Sequence, residues 1–119
     1  MPQMIQNGRE LIRINPTTKA IEWSTNDGRV WHVRFRANSL SGNFISLFLD
    51  GNELLAAAEK GLLWSTNEGR AWHVRYRTST SVGGFQELYR DGRELLAQTS
   101  KGLFWSTDSG RSWHLRKRN

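Results

Sequence analysis

Cysteine is absent from the 119 residues. That excludes a disulfide framework, a thiolate metal site and a cysteine nucleophile, and it suits a reducing compartment, so a cytoplasmic location is expected. The first stretch, MPQMIQNGRELIRINP, has no apolar segment of the kind that directs secretion. No apolar run approaches the roughly 18 residues that a membrane span requires, so no membrane partner is expected. Acidic residues are outnumbered 11 to 17 by Lys and Arg, a net charge of +6 that points to acidic partners or to solubility. What the chain does have is six Trp and an ordinary hydrophobic share of 37%, enough for one folded domain of this length and against disorder.

One phrase occurs three times: AIEWSTNDGRVWHVRFR at 20–36, GLLWSTNEGRAWHVRYR at 61–77 and GLFWSTDSGRSWHLRKR at 102–118. Trp31, Trp72 and Trp113 are spaced by 41 residues, as are Trp23, Trp64 and Trp105, so every Trp and every His belongs to the repeat. A period of about 40–45 residues suits a four-stranded propeller blade or a two-helix solenoid unit. The local pattern decides for strands. FISLFL (44–49) is a β-rich run, and Asn7-Gly8, Asp50-Gly51 and Asp91-Gly92 are dipeptides that favour type I′ hairpin turns. ELIRINP, ELLAAAE and ELLAQTS follow, then a third strand ending in Trp-Ser, a polar turn and a fourth strand such as WHVRYR (72–77). The expectation is an all-β chain of three four-stranded antiparallel meanders at about 1–36, 43–77 and 84–118, separated by the Ser/Gly-rich connections 37–43 and 78–84.

The phrase STDSGRSW (106–113) resembles the Asp-box, the bacterial neuraminidase repeat with the pattern Ser-x-Asp-x-Gly-x-x-Trp. Ser24, Ser65 and Ser106 match it, as do Gly28, Gly69, Gly110 and Trp31, Trp72, Trp113. The acidic position is Asp108 in the third copy but Asn26 and Asn67 in the others, and Asn keeps the acceptor that closes the turn. The resemblance implies a β-propeller in which the box forms the hairpin between the third and fourth strands of each blade, as in sialidases, sortilin-type receptors and photosystem assembly factors. In that family the box marks the fold rather than the active site. Propeller rings hold about four to eight blades. Three would leave two apolar faces in water, so two copies arranged head to tail as a six-bladed homodimer are expected. The competing arrangements are an open three-unit β-solenoid or a fragment of a longer chain.

Alternation along the fourth strand places Trp31, Val33 and Phe35 on one face, with His32, Arg34 and Arg36 on the other. Arg75, Arg77, Arg116 and Arg118 repeat the pattern. These six Arg form either an anion-binding rim for nucleic acid, an acidic glycan or an acidic protein, or a charged outer edge that resists strand pairing, with Arg stacked over the Trp of an adjacent blade. No base-stacking aromatics are interleaved at the exposed positions, which disfavours nucleic acid. The three His lie on different units with no completing carboxylate, so neither a metal site nor a cofactor is expected. The units diverge most in their first strand, where the third carries Glu87, Tyr89 and Arg90. Such a set at a central channel is similar to the sialidase toolkit of a Tyr nucleophile assisted by Glu, with Arg residues holding the substrate carboxylate. This chain departs from that pattern: two further Arg would have to be borrowed, LIRINP (11–16) is only a distant echo of the Phe-Arg-Ile-Pro element, and no Asp stands as acid/base. The function expected is a non-enzymatic, self-assembling binding module with Glu87, Tyr89 and Arg90 at its ligand site. The alternatives are a sialidase-like hydrolase assembled across a dimer and a basic-rim binder of nucleic acid or acidic surfaces.

Overall fold

In the computed structural model, which describes residues 3–119, the chain is all-β. The first sheet comprises β1 (Met4–Asn7), β2 (Glu10–Ile14), β3 (Ile21–Ser24) and β4 (His32–Phe35). The second holds β5 (Phe44–Asp50), β6 (Glu53–Ala58), β7 (Gly61–Ser65) and β8 (His73–Arg77). The third holds β9 (Phe85–Asp91), β10 (Glu94–Thr99), β11 (Gly102–Ser106) and β12 (His114–Arg118). Each sheet is an antiparallel meander in sequence order. The inner strands β1, β5 and β9 of neighbouring sheets lie against one another, while β4, β8 and β12 form the outer edges. These are propeller blades.

The turns explain why the meanders close where they do. The first hairpin of each sheet is pinned by the pairs Asn7↔Glu10, Asp50↔Glu53 and Asp91↔Glu94, leaving two-residue loops Gly8-Arg9, Gly51-Asn52 and Gly92-Arg93. Only the Gly of each loop has positive φ, near +60°. That is the pattern of a type II′ turn, with Gly first, and it corrects the type I′ expectation: the Asn or Asp closes the strand rather than entering the loop. The second hairpin is equally tight in the second and third sheets, where Gly61 and Gly102 have φ of 144° and 149°. A Cβ on Gly61 would lie 2.1 Å from the Tyr76 carbonyl oxygen, so only glycine fits.

The buried apolar side chains among the described residues form two clusters. One apolar cluster lies between the first and second sheets, built from Ile12, Ile14 and Ile21 against Leu47, Leu54, Leu63 and Trp72. A second lies between the second and third sheets, from Leu55 and Leu62 against Leu88, Leu95, Phe104 and Trp113. Each sheet therefore has one face toward its predecessor and one toward its successor. The outer strands break strict alternation. A bulge in each (for example between Ile21 and Glu22 on the partner strand) puts Phe35 and Tyr76 on the face toward the following sheet, while Trp72 and Val74 face the preceding one. The expected grouping of Trp31, Val33 and Phe35 on one face is corrected accordingly, since a bulge adds a residue and shifts the phase of everything after it.

Candidate functional site

The third hairpin of each sheet is a hydroxyl-centred turn. Ser24 Oγ donates to Asn26 Oδ1 at 2.8 Å and accepts from the Gly28 amide at 3.0 Å, while Asn26 Oδ1 also accepts from the Val30 amide at 3.0 Å. Ser65, Asn67 and Gly69 repeat this geometry, as do Ser106, Asp108 and Gly110. Asp27, Glu68 and Ser109 hold φ near +63°, followed by Gly28, Gly69 and Gly110 at 83–91°. The carbonyls of Glu68 and Ser109 accept from Arg34 and Arg75 of the preceding sheets. Trp72 and Trp113 lie against their turn glycines and donate Nε1–H to the Gly69 and Gly110 carbonyls, each at 2.9 Å. Asp108, which stands where the other turns have Asn26 and Asn67, is held well below the usual carboxylate range, first by the Ser106 hydroxyl and then by that of Ser112.

Three of the six rim arginines are held by a glutamate of their own sheet. Arg34 makes a two-pronged bond to Glu10, both contacts 2.7 Å; Arg75 does so with Glu53 at 2.8 and 2.6 Å, and Arg116 with Glu94 at 2.7 Å twice. Each guanidinium lies over the Trp of its own sheet, Trp23, Trp64 or Trp105, at 4.9–5.5 Å, rather than over a neighbouring blade's. His32, His73 and His114 pack on the same three rings at 4.7–5.0 Å. The arginine hydrogen bonds lower the pKa of Glu10 and Glu53 below the ordinary carboxylate value, against an opposing effect of burial. Arg36, Arg77 and Arg118 are exposed. The Glu partners went unassigned in the sequence reading, although the signal was present: Glu-Leu opens the second strand of every unit (Glu10, Glu53, Glu94).

The divergent first-strand residues split into two groups. Tyr89 donates its hydroxyl to Glu87 on one side of β9, and that bond raises the phenol pKa, with burial adding to it. Arg90 points the other way and forms an ion pair with Asp50 of the second sheet. Glu87 and Tyr89 are brought together; Arg90 does not join them. At the equivalent place between the first and second sheets, Asn7 and Leu49 stand where Asp50 and Arg90 do, and a hollow of about 240 Å³ remains, lined also by Asn52, Thr66 and Glu68. It opens at the end of the sheets that bears the first and third hairpins. Among the described residues no group of three or more His, Cys, Asp or Glu is gathered to hold a metal ion, and no helix is long and apolar enough to cross a membrane.

The sequence matches no protein-family model and no curated protein. Solved structures do resemble it. A GH74 enzyme of Niastella koreensis superposes with a TM-score of 0.62 at 19% identity, over 92% of this chain and 17% of that one. YCF48 of Cyanidioschyzon merolae superposes with a TM-score of 0.64 at 20% identity, over 93% of this chain and 39% of that one. The chain thus spans well under half the length of either neighbour. Both are propellers, and the likeness, at these identities, establishes that the three sheets are blades of the β-propeller fold.

Proposed function

We propose that the protein is an Asp-box propeller of three blades that self-associates and works as a non-enzymatic binding module, in the cytoplasm. The observation that carries this reading is the employment of the recurring polar residues: Ser24, Asn26, Arg34, Glu10 and their counterparts bond to one another and stabilise turns and blade contacts. A scaffold so occupied offers ligands its loops. The loop face between the first two blades, with the 240 Å³ hollow, and the side of β9 bearing Glu87 and Tyr89, which would face the channel of a closed ring, are its candidate ligand surfaces. An acidic glycan or protein fits the overall charge of +6. Nucleic acid is less favoured, because Arg34, Arg75 and Arg116 already hold carboxylates.

One observation favours a second reading. Tyr89 bonded to Glu87 is the pairing that a sialidase-like Tyr nucleophile would use. Against it, Arg90 is committed to Asp50. A fluorogenic sialoside separates the two. The binding-module reading expects no turnover from the wild type; turnover abolished by Tyr89→Phe would establish the hydrolase instead.

A further inference from the structure

Contacts between successive blades repeat twice and then stop. Besides Glu10, Arg34 donates to the Glu68 carbonyl of the next blade at 3.1 Å, and Arg75 donates to the Ser109 carbonyl at 3.1 Å. Both side chains are nearly sealed, at 4% and 3% exposure, whereas Arg116, with the same Glu bond and the same Trp beneath it, is 40% exposed. Among the described residues no backbone carbonyl accepts from Arg116. At the other end of the molecule, no side chain among the described residues donates to the matching acceptor, the Asp27 carbonyl, in a turn whose φ of +63° is within a degree of those of Glu68 and Ser109. The other contacts follow the same count. Ile21 packs on Gly69 and Leu62 on Gly110, leaving Leu103 and Gly28 half-buried without a counterpart. Arg70 lies near Glu10 and Arg111 near Glu53, which leaves Arg29 and Glu94.

The two outer faces are also altered where the inner ones are apolar. On the first blade Arg13 and Glu22 stand where the others have Ala56 and Leu63, and the Arg13 guanidinium lies over Trp31 at 4.2 Å. On the third, Gln98 and Lys117 stand where Ala57 and Tyr76 face a neighbour. Polar residues at matching positions of both end faces make a seam that each half tolerates in water before closing.

Resting on the self-association proposed above, we infer that the partner is a second copy of this chain seated head to tail, with Arg116 of each copy donating to the Asp27 carbonyl of the other and Leu103 packing on its Gly28. Two such seams related by a two-fold axis close the arc, and both ends of every chain are used. A heterologous seam of this kind differs from a face-to-face dimer, in which only one end would be covered.

The absence of cysteine makes the test clean. The ion pair Asp50–Arg90 joins the second and third blades, and by register Asp91 and Gln6 are its counterparts across the seam. Asp91→Cys and Gln6→Cys are prepared separately, mixed, and treated with a short bismaleimide. The expected result is a covalent dimer from the mixture and none from either variant alone. A two-chain particle that gives no cross-link in the mixture, or that cross-links with Asp91→Cys alone, overturns the head-to-tail seam while leaving self-association standing. A single-chain particle overturns both. Arg116→Ala, checked for folding by its Trp fluorescence, is expected to raise the dimer dissociation constant roughly thirtyfold or more, as for loss of one member of a buried charged hydrogen bond; an unchanged constant overturns the role given to Arg116.

Discussion

At the scale of single residues, the Ser-centred turn of the third sheet carries its acid at Asp108, where the first two sheets have Asn26 and Asn67. Asn26 and Asn67 accept from Ser24 and Ser65 at 2.8 and 2.7 Å, and Asp108 accepts from Ser106 at 2.6 Å in the same geometry. Because the Asp108 carboxylate is stabilised in the folded state and its unfolded pKa is about 3.9, it contributes stability above that pH. The contribution is lost as the pH falls below about 4, toward its depressed folded pKa. Glu10 and Glu53, also lowered, act in the same direction just below their ordinary values. Asp108→Asn is therefore expected to lower thermal stability modestly at pH 7, where the carboxylate contributes, and to flatten its decline between about pH 4 and 2, as followed by melting temperature against pH. A variant as acid-sensitive as the wild type would show that the turn carboxylate is not responsible. This turn was legible from residue types alone, since Ser, Asn or Asp, and Gly at fixed spacing dictate it. The Arg90–Asp50 ion pair was not, because its members are 40 residues apart and nothing local couples them.

At the scale of elements, the meanders depend on what each turn and strand can tolerate. Gly61→Ala would force a Cβ to within 2.1 Å of the Tyr76 carbonyl at a φ of +144°, so β7 and β8 must separate to admit it. A loss of at least about 2 kcal/mol is expected from denaturant unfolding. Gly84→Ala, which meets nothing within 4 Å and has no positive φ, should change little; equal losses at both positions would contradict the steric account. Strand number, order and approximate bounds follow from the 41-residue period and the alternation of side chains, and so were readable in advance. The facing of the fourth strands was not. A bulge is a property of pairing between strands, and the sequence HVRYR contains no residue type that announces it. The same bulge turns Arg34 and Arg75 from an exposed rim toward the next blade, where they bond its turn carbonyls.

At the scale of the whole molecule, stability resides between sheets. Each of the two apolar clusters needs two blades, so an interior blade is buried on both faces and an end blade on one. Three blades therefore give two filled interfaces and two end faces, and in the proposed ring Arg116 with Asp27 and Leu103 with Gly28 would take across those end faces the relation that their equivalents have within the chain. The repeat and the three-blade count, both visible in the sequence, led to the expectation of a closed ring. Which residues would meet at its seam could be named only from the two interfaces that the chain itself contains. The measurement that tests this most directly is the absolute molar mass in solution, by light scattering across a gel-filtration peak. The account predicts twice the 13.7 kDa chain mass, held across a range of concentrations. A particle of 13.7 kDa at the highest concentration would contradict it, leaving Arg13, Glu22, Gln98 and Lys117 as polar caps on an open three-blade arc.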